Sequence, residues 1–286
     1  MLARNCYAVR LALQCFRILF EETSYNIHRL DTTTLRIDVL TLFPGMFTGP
    51  MTESMLWKAQ DRGLLDLRIH DIRDYAFDKH RKVDDTPYGG GGGMIMRVDV
   101  VVRAVEALAR PGVPVILMSP QGRVFSHSVA KELASYEQII LLCGHYEGID
   151  DRVRQLVVTD EISIGDYVLT GGELAAMVVI DATVRHIPGV LGAEGAADAD
   201  SHADGVLEGP HYTRPAVFRG LAVPDVLREG DHGRIAEWRR REGLRQTWRY
   251  RPDLLFQAQL TEDEKYLLAT FADDDVSHLP EKPQFP

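Results

Sequence analysis

The sequence predicts an α/β fold with a mostly parallel sheet, followed by a small all-helical C-terminal domain. Between residues 113 and 187, short apolar runs alternate with segments of helical period, which is typical of a parallel sheet with helices on both faces. From Pro224 to Phe271 only the helical period remains. The 286 residues suffice for one large domain or two smaller ones, and 45% apolar residues supply a core.

Four elements are predicted ahead of this alternation. The first strand alternates apolar and polar residues until Pro44, and the first helix has Gly63 as its C-terminal stop. In the second helix Val101, Val105 and Leu108 share one face. The elements are, in order, a strand over 35–42, a helix over 51–62, a strand over 65–72 and a helix over 98–109.

The alternating region contributes three more strands and three more helices. Its first two strands are continuous apolar runs, as expected for strands buried on both faces. Its first helix has Ser126 as a candidate N-cap. The predicted strands cover 113–118, 139–143 and 157–164, and the predicted helices cover 126–136, 148–156 and 173–187.

Composition also predicts the domain organisation. The segment 193–206 is small and acidic and is predicted to be a linker between a first domain, 35–192, and a C-terminal domain, 207–286. Residues 1–34 are expected to be a disordered extension or the product of a start assigned too early, with a targeting segment as the alternative. Arg17 interrupts their longest apolar run, which falls short of the ~20 residues that cross a bilayer.

The formal net charge of −10 argues against non-specific coating of nucleic acid, but not against a local basic patch. The three cysteines, Cys6, Cys15 and Cys143, have neither zinc-binding nor redox spacing. We therefore expect a reduced, cytoplasmic protein with no membrane segment and no dedicated metal site.

Three glycine-bearing loops, 119–123, 144–150 and 164–173, follow three of the predicted strands. Because ligands of open α/β sheets bind beyond the carboxyl ends of strands, these loops predict a small-molecule pocket. The glycine patterns that bind dinucleotides and triphosphates are absent. Backbone amides with Ile164, Tyr167 and Leu169 would suit an adenine ring, although the spacing alone is equally consistent with tight turns that bind nothing.

A series of ordered motifs runs from about Leu35 to Phe271. They are LFPGMF (42–47), DDTPYGGGGGM (84–94), SPQGR (119–123), GHYEGID (144–150), SIGDYVLTGGEL (163–174), IPGVLG (187–192), DSHADG (200–205) and GPHYTRP (209–215). Together they resemble the bacterial tRNA (guanine-N1)-methyltransferases. The resemblance implies a SPOUT fold, in which the sheet carries a deep trefoil knot.

The resemblance also implies that S-adenosylmethionine binds in the knot. Three positions depart from the family pattern: Gly92 and Ala175, where the family often has proline, and His145, where some members have arginine. By motif match, the cofactor contacts are Met118, Ser119, Pro120, Gly144, Glu147, Ile164, Gly165, Asp166, Tyr167, Val168, Leu169, Gly171 and Gly172.

The family's catalytic pair matches Asp200 and Arg185. The resemblance makes Asp200 the general base that removes the N1 proton of guanine, and Arg185 the cation that stabilises charge developing toward O6. The methyl group then passes directly from sulfonium to N1. Without the resemblance, Arg185 would be interpreted as an ion pair with Asp181, and Asp200 as a solvated charge in an acidic linker.

A basic stretch lies in the predicted C-terminal helices. From 234 to 251, seven arginines and two glutamates give a local formal charge of +5, which predicts a phosphate-binding face. A salt-bridged helix surface is the alternative. Trp238 and Trp248 have helix-face spacing, which favours core packing over base stacking. The candidate RNA-binding residues are Arg239, Arg240, Arg241, Arg245 and Arg249.

The resemblance further implies tRNA as partner and a homodimer, with Asp200 acting across the interface. The family uses Mg²⁺, although no cluster of carboxylates stands out in this sequence. The predicted function is methyl transfer to N1 of the guanosine directly 3′ of the anticodon, where the preceding base is also guanosine, which supports reading-frame maintenance. The alternatives are a SPOUT enzyme acting on another RNA position or atom, and a non-catalytic RNA-binding protein.

Overall fold

A computed structural model describes residues 34–192, 195, 197 and 200–274. The described residues form two compact units. The first contains 34–123 and 135–190, and the second contains 124–134 and the described residues from 191 onward. The predicted extension, apart from Thr34, and part of the predicted linker lie outside the described residues.

The first unit is built on a five-stranded sheet. Its strands are β1 (Leu35–Thr41), β2 (Leu65–Asp71), β5 (Val115–Val124), β6 (Gln138–Cys143) and β7 (Asp160–Ser163), and the two-residue strands β3 (Asp84–Asp85) and β4 (Ile95–Met96) form a separate antiparallel pair. The strand order is β2-β1-β6-β5-β7. β1 runs parallel to β2 and β6, and β6 runs parallel to β5, which confirms the predicted mostly parallel sheet.

The α-helices of the described residues are α1 (Ser54–Asp61), α2 (Val98–Leu108), α3 (His127–Leu133), α4 (Asp151–Val157), α5 (Glu173–Val184), α6 (His232–Tyr250) and α7 (Glu262–Asp274). α2 and α4 pack together on one face of the sheet, where Val101 and Val153 join Leu117 and Leu142 in the core. α5 packs on β1 and β6 without joining that cluster, so it covers the opposite face. Helices therefore lie on both faces, as predicted.

The first and third strands of the alternating region differ from prediction. The expected loop 119–123 continues β5 as far as Val124 alongside β7. Gly122 permits this pairing, since a Cβ at that position would lie 2.3 Å from the carbonyl carbon of Glu161. β7 begins only at Asp160, because α4 continues to Val157.

The second unit contains α3, α6 and α7, and its small core is formed by Val206, Leu244 and Phe271. The Trp248 ring packs against this core, 6.4 Å from the Phe271 ring, which confirms the core-packing interpretation of Trp248. The expectation of an all-helical domain was incomplete, because β8 (Val217–Phe218) and β9 (Leu221–Ala222) form a hairpin. Its two turn residues both have positive φ, the pattern of a type I′ turn.

Candidate functional site

A pocket of about 270 Å³ lies beside β5 and beyond the carboxyl ends of β6 and β7. Its walls come from β5 and from two loops, 144–149 and 164–172. Asp166 is exposed in the second loop and is the one residue assigned to the cofactor that does not line the pocket. The other twelve do line it: Met118, Ser119, Pro120, Gly144, Glu147, Ile164, Gly165, Tyr167, Val168, Leu169, Gly171 and Gly172.

Backbone contacts join the two loops. The amide nitrogen of Gly172 donates to the carbonyl oxygen of Gly144 at 2.9 Å, and His145 forms a β-bridge with Gly171. A Cβ on Gly172 would lie 2.8 Å from the Cα of Cys143. The second loop can approach β6 this closely only because residue 172 has no side chain.

The outer wall of the pocket is formed by the second loop folding on itself. Gly165 has φ +150°, and a Cβ there would meet the Tyr167 ring at 2.5 Å. The Tyr167 hydroxyl donates to the carbonyl of Ile164 at 3.4 Å, and Ser163 donates to the carbonyl of Gly165 at 3.1 Å. The wall therefore presents backbone groups and the Tyr167 ring.

A buried polar pair joins β1 to the start of α5. The Thr41 hydroxyl donates to Oε1 of Glu173 at 2.7 Å and accepts from the amide of Phe43 at 2.9 Å, and Glu173 is 1% exposed. Burial, with a further contribution from the charge of Glu173, raises the pKa of the Cys143 thiol well above its ordinary value. Cys143 is therefore an inert core residue and not a nucleophile.

His145 occupies a defined position between the two loops. Its ring lies 4.6 Å from the Phe43 ring and 4.9 Å from the Tyr146 ring. Its Nδ1 atom is buried and has no hydrogen-bond partner among the described residues. His145 thus lines the pocket while its Nδ1 atom stays buried.

The glycine run lies beside the first loop. The amide of Glu147 donates to the carbonyl of Met94 at 3.0 Å, and the amide of Met96 donates to the carbonyl of Gly148 at 3.0 Å. Gly93 has φ +84°, and a Cβ there would lie 2.4 Å from the Glu147 side chain. The run therefore approaches a pocket residue at a position that only glycine can occupy without strain.

Arg154 of α4 lines the pocket although no motif pointed to it. Its Nε lies 3.1 Å from Oε1 of Glu161 in β7, and its Nη1 lies 3.5 Å from Asp151. The second carboxylate oxygen of Glu161 is buried and has no hydrogen-bond partner among the described residues. Sequence carried no signal for this pair, because it joins a helix to a strand across a loop.

The two expected catalytic residues lie in different units. Arg185 directly follows α5 as its C-cap and is exposed, in the first unit. Asp200 is half-buried in the second unit.

In the described part of the chain, no group of three or more His, Cys, Asp or Glu side chains is arranged to hold a metal ion. Nor does any helix of that part have the length and apolar character to cross a membrane.

The five candidate RNA-binding arginines all lie on α6, but their surroundings differ. Arg240 pairs with Glu264 at 2.6 Å and also with Asp204, so it links α6 to other parts of the unit. Arg245 lies 4.8 Å over the Phe271 ring and pairs with Glu242, and Arg249 lies 5.6 Å over the Tyr250 ring. Arg239 and Arg241 are exposed and form no ion pair within the described residues.

Comparisons with known proteins identify the same family that the sequence motifs resemble. The family model for tRNA (Guanine-1)-methyltransferase TrmD matches residues 35–257. The tRNA (guanine-N(1)-)-methyltransferase of Geobacter metallireducens is 57% identical over 237 residues, which cover 82% of this chain and 97% of that protein. The same-named proteins of Chloroflexus aggregans and Dehalococcoides mccartyi are each 56% identical, over 85% and 82% of this chain and 98% and 96% of their own lengths. This chain therefore belongs to the tRNA (guanine-N1)-methyltransferase family.

Proposed function

We propose that this enzyme transfers a methyl group from S-adenosylmethionine to N1 of the guanosine directly 3′ of the tRNA anticodon, where the preceding base is also guanosine. The observation that carries this proposal is the pocket in the first unit, lined by twelve residues that motif match assigns to the cofactor. Acting on tRNA, the enzyme would work in the cytoplasm. The methyl group blocks the Watson–Crick edge of the base and would thereby support reading-frame maintenance.

The pocket fits S-adenosylmethionine. Gly165, Gly171 and Gly172 let the second loop pack closely against the protein, since a Cβ at each would lie within 3 Å of another protein atom, so the wall that this loop presents consists largely of backbone groups. Backbone groups next to Ile164 and Leu169 would bind the adenine, and the half-buried pair of Arg154 and Glu161 lies beside the wall. When bound, the cofactor supplies an electrophilic methyl group on a sulfonium. We propose that the loops bind it within a trefoil knot, as the SPOUT fold requires.

Asp200 and Arg185 would carry the proton and charge movements. Guanine N1 is a poor nucleophile while it carries its proton, so Asp200 accepts that proton as general base. Negative charge then moves toward O6, where the guanidinium of Arg185 stabilises it. S-adenosylmethionine would supply the methyl group to the N1 lone pair, with its sulfur as the leaving group.

We propose a homodimer in which Asp200 of one subunit completes the site of the other. Mg²⁺, which the family uses, would bind together with the tRNA, since its preferred ligands are oxygens and it retains several waters.

The assignment of Asp200 is tested with Asp200→Asn. The amide cannot accept the N1 proton, so methyl transfer in a single turnover is expected to be lost. S-adenosylmethionine binding, measured by calorimetry, is expected to stay at the wild-type level. Full activity of the variant would show that another group is the base.

A further inference from the structure

The second unit contains a cleft of its own, about 590 Å³ in volume. Its floor is apolar and partly buried, formed by Val223, Leu227 and Ile235. Its rim is polar and exposed, and no Asp or Glu is among the described residues that line it. The rim residues are His211, Tyr212, Thr213, Arg214, Arg228 and Arg239.

Close backbone packing builds this cleft. The segment 207–210 crosses α6 where two glycines meet: a Cβ on Gly243 would lie 2.6 Å from the carbonyl oxygen of Leu207, and one on Gly209 would lie 2.8 Å from that of Arg239. The buried hydroxyl of Thr247 accepts from the amide of Leu207 at 2.8 Å. This contact fixes the start of the segment, so the residues that follow it lie beside Arg239.

The rim carries positive charge with little internal compensation. Arg214 and Arg239 form no ion pair within the described residues. Arg228 lies 3.4 Å from Asp225, an exposed contact of little strength, and His211 lies 2.7 Å from Glu208. Three guanidinium groups therefore surround one cleft in a chain whose net charge is −10. Such groups suit a phosphate, because each planar guanidinium can donate two parallel hydrogen bonds to phosphate oxygens.

An aromatic ring lies beside these cations. Tyr212 is 48% exposed, and its ring centroid lies 6.3 Å from that of Trp238 at an interplanar angle of 54°. The Trp238 ring thus limits the orientations of the Tyr212 side chain while leaving half of its surface free. Exposed aromatic faces next to arginines bind unstacked bases in single-stranded nucleic acid.

We infer that this cleft binds one unpaired nucleotide of the RNA substrate, with its phosphate on Arg214, Arg228 and Arg239 and its base on Tyr212. The inference rests on the proposed function. It moves the centre of the RNA-binding surface from the length of α6 to this cleft. Arg240 and Arg245 instead stabilise the unit through Glu264 and Phe271.

The test compares Arg214→Ala, Tyr212→Ala and Tyr212→Phe with wild type in the full-length protein. Lys265→Ala is the control, because it removes an exposed positive charge of the same unit outside the cleft. Affinity for an unmodified tRNA transcript is measured by filter binding at several salt concentrations, and S-adenosylmethionine binding by calorimetry.

Arg214→Ala is expected to weaken tRNA binding about tenfold and to make the slope of log K against log salt less negative by about 0.7 to 0.9. Tyr212→Ala is expected to weaken tRNA binding roughly 5- to 150-fold. Tyr212→Phe is expected to bind tRNA like the wild type, since the stacking face of the ring remains. The tRNA affinity of Lys265→Ala is expected to stay within about twofold of the wild-type value. Cofactor affinity does not change in any variant.

Wild-type tRNA affinity and salt slope in both Arg214→Ala and Tyr212→Ala would overturn the inference, even if the wild-type enzyme forms N1-methylguanosine. Weakened binding in these variants, with no N1-methylguanosine from the wild-type enzyme, would uphold the cleft and overturn the proposed function.

Discussion

The amide nitrogen of Gly172 lies 2.9 Å from the carbonyl oxygen of Gly144 and donates a hydrogen bond to it, which ties two pocket loops together. A Cβ at position 172 would lie 2.8 Å from the Cα of Cys143 and 3.1 Å from the amide nitrogen of Gly144. Both are backbone atoms at the end of a buried strand, so neither can turn aside. The shape of the pocket therefore depends on glycine at position 172.

Gly172→Ala is expected to lower S-adenosylmethionine affinity at least about tenfold, because the start of α5 or the end of β6 must move. Calorimetric titration measures the effect. The matched control is Gly92→Ala, since a Cβ at position 92 meets no atom within 4 Å and the backbone there has no positive φ. Wild-type affinity for S-adenosylmethionine in both variants would show that the loops can move without changing the pocket.

Thr41→Val is expected to lower the free energy of unfolding by about 1 to 3 kcal/mol, because it leaves the buried carboxylate of Glu173 without its hydroxyl donor. Thr34→Val is the control. The Thr34 hydroxyl donates to the carbonyl of Gly63 at 2.7 Å, but this contact is exposed, so its removal should cost at most about 0.5 kcal/mol. Urea unfolding compares the two, and indistinguishable midpoints would refute a stabilising role for the Thr41–Glu173 pair.

Asp38 is a fully buried carboxylate in β1. Burial acts to raise the pKa of Asp38, but hydrogen bonds from His70, Arg36 and Gln138 outweigh burial and hold the pKa below its ordinary value. Since the folded pKa lies below the unfolded value of about 3.9, the contribution of Asp38 to stability is present above that pH. It is lost as the pH falls through the folded pKa.

Asp38→Asn is therefore expected to lower the free energy of unfolding by about 3 to 5 kcal/mol at neutral pH, since it leaves Arg36 without its buried partner. The deficit relative to wild type should shrink below about pH 4. Asp66→Asn, which breaks an exposed pair with Arg68, should leave the free energy of unfolding close to the wild-type value. Urea unfolding at several pH values measures the free energy of unfolding of each variant. A difference between Asp38→Asn and wild type that stays constant as the pH falls below about 4 would contradict the assigned role of Asp38.

Periodicity predicted the elements in which the pattern of apolar residues along the sequence matches the burial in the structure. The run Ile139–Cys143 is apolar at every position, and the structure buries all of β6. Periodicity could not predict elements that depend on a neighbouring strand. β5 continues through a segment that carries turn residues, because Gly122 fits against β7. The hairpin of β8 and β9 turns at Arg219-Gly220, and its strands are only two residues long, which is too short to show a period.

The residues assigned to the cofactor were chosen by motif match and not by spacing. Glycines and apolar residues in three loops are equally consistent with plain turns, and their convergence depends on the strand order of the sheet. Arg154 was missed because its partner Glu161 lies in a different element. The basic stretch of α6 was identified by charge, yet charge alone could not separate Arg240, which pairs within the unit, from Arg239, which faces the cleft.

The proposed sharing of the active site between two subunits predicts that two inactive variants complement each other. Asp200→Asn and Arg185→Ala should each be inactive as homodimers. A mixed dimer, co-expressed and purified with two different tags, should regain activity, because one of its two sites then contains both native residues. Activity is measured as methyl transfer to tRNA, with each homodimer carrying the same tags as control. A mixed dimer as inactive as its parents would place both residues in the same subunit's site.

The most direct measurement is methyl transfer from labelled S-adenosylmethionine to two unmodified tRNA transcripts. The first carries guanosine at the last anticodon position and at the next position, and the second carries adenosine at that next position. Product nucleosides are identified by mass spectrometry. N1-methylguanosine from the first transcript and no methylated nucleoside from the second is the expected result. A methyl group at any other atom, or equal methylation of both transcripts, would contradict guanine N1 of this nucleotide as the target.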